Sequence, residues 1–178
     1  DTGHRHGVRH VHIAPDGTWL ATTANTSPYD LFFDTGDGDP VVQIWDPRTG
    51  QHLHHLDTGH RHGAGQVHIA PDGTWLATTA NTSRGSGDPV VQIWDPHTGQ
   101  HLHYLDTGHR HGVKRIYVEP DGTWLVTAGD TSIAIWSRTW NNIGLVRLDG
   151  QVLNIAAYAR TIYPVGNRGV YAFEAILV

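Results

Sequence analysis

The chain has 178 residues, with 12 basic and 17 acidic side chains and 15 histidines, and its net charge is −5 when histidine is neutral. This length favours one domain, the acidic balance excludes the basic patch of a nucleic-acid-binding protein, and the absence of cysteine excludes disulfides and thiolate metal sites. No apolar run approaches the length of about 18 residues that a membrane span needs, and no signal peptide is visible, so we expect a cytoplasmic protein without a membrane partner.

Short sequences recur along the chain. DTGHRHG occupies residues 1–7, 57–63 and 106–112, and PDGTWL occupies 15–20, 71–76 and 120–125. VVQIWDP stands at 41–47 and 90–96, and IAIWS fills the same slot at 133–137. Once loops of variable length are set aside, the repeating unit is roughly 42 residues long, within the range of propeller blades.

Within each unit the apolar residues follow a period of two. Val11 and Ile13 alternate with His10 and His12, and this run ends at a Pro-Asp-Gly turn. Three more short strands follow, near 19–24, 41–45 and 51–56. The sequence therefore predicts an all-β fold of four-stranded antiparallel blades. One propeller domain or half-propeller would cover 1–178, with blades at 1–56, 57–105 and 106–148 and a degenerate fourth blade at 149–178.

These markers give the chain a resemblance to the WD40-repeat family. They are the Gly-His pairs at 3–4, 59–60 and 108–109, the PDG turns, and the Trp-Asp pairs at 45–46 and 94–95. The ending GVYAFE is similar to the closing blade of C-terminal WD40 regions in actinobacterial signalling proteins. The resemblance implies a non-enzymatic platform for protein–protein interaction. It also implies a structural hydrogen-bond network formed by His4, His60, His109, Trp45, Trp94, Trp136 and Asp130.

The second histidine of each copy, His6, His62 or His111, lies outside the family pattern. Two histidines separated by one residue can lie on one side of an extended loop and bind a metal ion. Alternatively, an exposed histidine was simply copied with the repeat. A second candidate metal site is the acidic cluster of Asp34, Asp37 and Asp39, although it matches no complete calcium-loop pattern.

The longest insertion, residues 28–38, contains four large apolar side chains in a polar loop: Tyr29, Leu31, Phe32 and Phe33. Clusters of this kind mark protein contact surfaces, although these side chains could also fold back over the neighbouring blade. No catalytic motif is present and the only glutamates are Glu119 and Glu174, so we expect neither an enzyme nor a cofactor.

The predicted strands number about fifteen, and the fourth blade lacks an outer strand. Three alternatives remain open: the chain is part of a larger propeller, two copies associate into an eight-bladed ring, or four blades close alone. Besides the interaction platform, two other functions are compatible with the sequence. One is a metal- or pH-responsive histidine-rich assembly, and the other is a purely structural propeller made by repeat amplification or engineering. The identity of a protein partner is not given by the sequence.

Overall fold

The computed structural model describes residues 2–4, 7–24, 41–60, 63–80, 88–158 and 161–174. Within these residues the chain forms sixteen strands, arranged as four antiparallel sheets, and no helix. The first sheet consists of β1 (Val8–Ile13), β2 (Leu20–Ala24), β3 (Val41–Trp45) and β4 (His52–Asp57). The second consists of β5 (Ala64–Ile69), β6 (Leu76–Ala80), β7 (Val90–Trp94) and β8 (His101–Asp106).

The third and fourth sheets follow the same order along the chain. The third consists of β9 (Arg115–Val118), β10 (Trp124–Ala128), β11 (Ser132–Ser137) and β12 (Asn142–Arg147). The fourth consists of β13 (Val152–Tyr158), β14 (Thr161–Gly166), β15 (Gly169–Val170) and β16 (Phe173–Glu174). In the first three sheets each strand pairs with the next, as in a propeller blade, and the predicted all-β fold is confirmed.

The fourth sheet is incomplete, as predicted. Both β15 and β16 pair with β14, so together they occupy the third position of a blade, and no outer strand follows within the described residues. This interruption explains why sixteen strands are present where the sequence indicated about fifteen.

The tight turns have a local cause in the sequence. After β1 the carboxylate of Asp16 accepts a hydrogen bond from the backbone amide of Thr18, at 3.0 Å. Gly17 between them has a φ of 68°, in the left-handed region that glycine tolerates best. Asp72 and Thr74 make the same contact in the second repeat, at 3.1 Å.

The hydrophobic core lies between consecutive sheets. The first cluster joins Trp19, Ile44 and Leu56 of the first sheet to Val67 and Leu76 of the second. Two similar clusters join the second sheet to the third and the third to the fourth. No core cluster of this kind joins the fourth sheet to the first, so the array is open within the part of the chain that the structure describes.

Candidate functional site

Each of the first three sheets contains a hydrogen-bonded group of three side chains. In the first sheet His4 Nε2 lies 3.0 Å from Thr22 Oγ1, and Trp45 Nε1 donates to the same hydroxyl at 3.0 Å. The other two sheets repeat the arrangement with His60, Thr78 and Trp94, at 3.3 and 3.2 Å, and with His109, Thr127 and Trp136, at 3.0 and 3.2 Å.

The network forms because the repeat buries polar atoms that need partners. The imidazoles of His60 and His109 are each only 1% exposed, and Thr78 and Thr127 are completely buried. A threonine hydroxyl has two acceptor sites and one donor, so a single oxygen can satisfy both the indole N–H and the imidazole. The network thus ties the Gly-His turn to the second and third strands of each sheet.

The other ring nitrogen has different partners in the second and third repeats. His60 Nδ1 lies 3.5 Å from Asp88 Oδ2. Because a carboxylate only accepts, this contact assigns the ring proton of neutral His60 to Nδ1. In the third sheet, His109 Nδ1 instead lies 2.7 Å from the Ser132 hydroxyl.

This contact differs from the predicted role of Asp130. Asp130 occupies the register position of Asp88, two residues before the third strand, but its carboxylate lies 3.9 Å from Lys114 Nζ. Ser132 begins β11, where β7 begins with Val90, and so supplies a hydroxyl that the second sheet lacks. The Lys114 ammonium beside Asp130 and the closer hydroxyl of Ser132 together explain why His109 contacts the serine and not the aspartate.

The buried histidines His60 and His109 are neutral at physiological pH. Burial lowers the pKa of His109 to about 4. Burial also lowers the pKa of His60, although the Asp88 carboxylate partly opposes this effect. In the second and third sheets the network therefore stabilises the fold through hydrogen bonds of neutral histidines.

A cavity of about 330 Å³ opens beside this network at the rim of the third sheet. Arg110 and His111 line it from the Gly-His turn, and Arg147 lines it from the end of β12. Thr131 and Ser132 contribute from the turn before β11 and its first residue, and Asp130 also faces the cavity. Sequence reasoning singled out His111 and Asp130 but did not bring the two arginines together with them.

A second group of histidines lies where the first two sheets meet. His10 and His12 of β1 and His68 of β5 line one pocket. Burial, followed by the charge of His12, lowers the pKa of His68 to about 4, and burial and His10 lower the pKa of His12. Within the described residues no three or more histidine or acidic side chains are arranged to hold a metal ion. The signal for this cluster was present in the sequence, since His12 and His68 occupy the same position of their repeats.

Several predicted residues lie outside the described residues. They are the second histidines His6 and His62, the acidic residues Asp34, Asp37 and Asp39, and the apolar residues Tyr29, Leu31, Phe32 and Phe33. The metal-binding and partner-binding roles assigned to them remain predictions.

Trp140 had no predicted role, because it falls outside the repeats. Its ring packs edge-on against Trp75, with the ring centroids 4.9 Å apart. Its φ is 65°, which is unusual for a bulky residue, so packing holds this tryptophan in a strained turn after β11.

The inner strand of the first sheet exposes apolar side chains that its counterpart buries. Val11 is 55% exposed, whereas Val67, at the same position of β5, is 2% exposed and packs against the first sheet. Val8 and Ile13, on the same strand, are also exposed. This apolar face is therefore exposed on β1, whereas the equivalent face of β5 is covered by the first sheet.

The family model for the WD domain, G-beta repeat, matches residues 1–46, 50–95 and 99–137. None of the curated proteins compared with the chain matches it. No helix among the described residues is long and apolar enough to cross a bilayer. WD40 repeats generally mediate protein–protein interaction and are typically non-enzymatic. The second and third matches each contain the outer strand of one sheet and the first three strands of the next. Since the three matches cover most of the sequence, the chain belongs to the WD40-repeat family.

Proposed function

We propose that this chain is a non-enzymatic platform for protein–protein interaction and that one of the proteins it binds is a second copy of itself. The observation that carries the proposal is the uncovered face of β1, where Val8, Val11 and Ile13 are exposed. Apolar surface of this kind is stabilised by removal from water, at about 25 cal/mol per Å² buried.

A second copy is favoured because the chain carries both halves of the required contact. The equivalent face of β5 packs against a sheet of this same chain, so the fitting partner is another sheet of the same type. At the other end of the array, the fourth sheet exposes Leu153, Tyr158 and Val170. Two copies arranged head to tail would cover both ends, and such a contact forms a closed ring when the rotation between the copies brings the second copy back onto the first.

The experiment is a solution mass measurement by light scattering at neutral pH, with and without chelator. We expect a dimer for the native chain and a monomer for Val11→Lys, because the introduced ammonium cannot be desolvated in an apolar contact. Leu53→Lys is the matched control: Leu53 is a 40% exposed apolar residue of β4 in the same sheet, and its substitution should leave the dimer intact. A monomeric native chain, or equal loss of dimer in both variants, contradicts the proposal.

A second candidate function, pH-responsive assembly, is favoured by the cluster of His10, His12 and His68 beside the same face. Protonation of these neighbouring rings would place like charges at the junction of the first two sheets. Because burial lowers the pKa of His68 to about 4, the dimer should then dissociate as the pH falls towards 4, and His68→Gln should weaken this dependence. A dimer that is lost with chelator would instead support metal capture by the second histidines. A dimer insensitive to both pH and chelator would contradict both pH-responsive and metal-dependent assembly.

A further inference from the structure

We propose that the rim cavity of the third sheet binds a phosphate group. Arg110, from the turn between β8 and β9, and Arg147, at the end of β12, line the same cavity of about 330 Å³. A guanidinium is planar and presents its N–H donors as a fork that matches the oxygens of phosphate. Two such groups on one cavity are a recognition element for a dianion.

The balance of charge around the cavity favours an anion. Within the described part of the chain neither guanidinium forms a hydrogen bond or an ion pair. The one carboxylate on the cavity wall, that of Asp130, lies 3.9 Å from the Lys114 ammonium. Two arginines and one aspartate therefore line the cavity, and Lys114 partly neutralises that aspartate, although the chain as a whole has a net charge of −5.

Comparison with the other repeats shows that strand pairing does not require the positive charge of Arg147. Arg147 pairs with Ser132, whereas the last residues of β4 and β8, at the same register position, are Asp57 and Asp106. Each of these aspartates accepts a hydrogen bond from the glycine amide two residues later, at 3.2 and 3.1 Å. The third repeat has exchanged this capping carboxylate for a cation, and the cation faces a cavity.

The remaining wall supplies neutral polar groups. Thr131 and Ser132 lie beside the arginines, and the Ser132 hydroxyl is held at 2.7 Å from His109 Nδ1. The volume is at the lower end of the range for small-molecule sites, about 300–1,000 Å³, so the cavity fits a phosphate monoester with a small part of its carrier.

The test is an NMR titration of the backbone amides with inorganic phosphate at constant ionic strength. We expect saturable shifts confined to residues 108–112 and 130–132. Arg147→Asp should weaken binding at least tenfold, and this variant should fold because the other two repeats already place aspartate at this position. Arg147→Gln, which removes the charge without reversing it, should weaken binding less than Arg147→Asp.

Arg48→Asp is the matched control, because it makes the same charge change on the exposed turn between β3 and β4. Its phosphate affinity should equal that of the native chain. O-phosphoserine and glycerol 3-phosphate should both compete with inorganic phosphate. The ligand with the higher affinity then indicates whether the phosphate is carried by a protein or by a small molecule. The proposal is overturned by the absence of saturable shifts, by acetate binding as well as phosphate, or by equal weakening in Arg48→Asp and Arg147→Asp.

Discussion

Thr78 and Thr79 are neighbours in β6, and both are buried, but only the first has a hydrogen-bonded hydroxyl. Thr78 Oγ1 accepts from Trp94 Nε1 and contacts His60 Nε2, whereas Thr79 Oγ1 has no partner within the described residues. Valine replaces threonine with nearly the same shape. Substituting each in turn therefore isolates the contribution of the network from that of packing.

The two substitutions should have very different effects on the free energy of unfolding. In Thr78→Val the indole N–H and an imidazole nitrogen both lose their shared partner, and each buried unsatisfied group costs about 1–3 kcal/mol. Since both losses belong to one network, we expect a total of about 2–4 kcal/mol. Thr79→Val removes a hydroxyl that gains nothing from the protein, so the change should lie between zero and about 1 kcal/mol of stabilisation.

The measurement is urea unfolding at pH 7, followed by tryptophan fluorescence, for the native chain and both variants. An unchanged dependence on urea would show that the same surface unfolds in all three proteins. If the two variants differ by less than about 0.5 kcal/mol, the hydrogen bonds of Thr78 do not stabilise the blade beyond packing, and the structural role of the network is refuted.

Two further predictions concern the surroundings of His109. Because burial lowers its pKa to about 4 from the ordinary value of 6.5, the unfolded chain binds this proton at higher pH than the folded chain does. The contribution of neutral His109 is therefore present above pH 6.5 and is lost towards pH 4. This group alone should lower the free energy of unfolding by about 2 kcal/mol between pH 7 and pH 5, in addition to the loss in the same direction from His68, whose pKa is also about 4. Equal stability at the two pH values would contradict a neutral buried His109. Gly129→Ala would place its Cβ 2.7 Å from His109 Cβ, so it should destabilise the chain by about 1–3 kcal/mol. Gly144→Ala, whose Cβ would lie 3.7 Å from its nearest neighbour, should be nearly neutral in the same assay, and equal effects would show that the His109 side chain moves aside.

The fold was predictable because its causes are local and repeated. Alternating apolar residues set the strands, and Pro-Asp-Gly turns separate the first strand of a repeat from the second. The equivalent positions of Trp45, Trp94 and Trp136 indicated that three sheets would have the same strand order.

The Nδ1 partner of His109 was not predictable in the same way. Asp130 stands at the expected position, but in the folded chain the Ser132 hydroxyl lies closer to His109, and Lys114 lies near the carboxylate. Trp140 illustrates a second limit. A residue outside the repeat has no equivalent position from which a contact with Trp75 can be inferred.

Repeats with nearly the same sequence act as internal controls for each other. They distinguish a surface that differs in its exposure from a surface that differs in its side chain. Val11 and Val67 are the same residue at the same strand position, but one is 55% and the other 2% exposed, so the difference arises from what lies next to the sheet. Arg147 and Asp106 show the reverse, because the backbone environment is shared and the side chain differs. The first kind of difference points to assembly and the second to a ligand. The two proposals are therefore independent: Arg147→Asp should leave the solution mass unchanged, and Val11→Lys should leave phosphate binding unchanged.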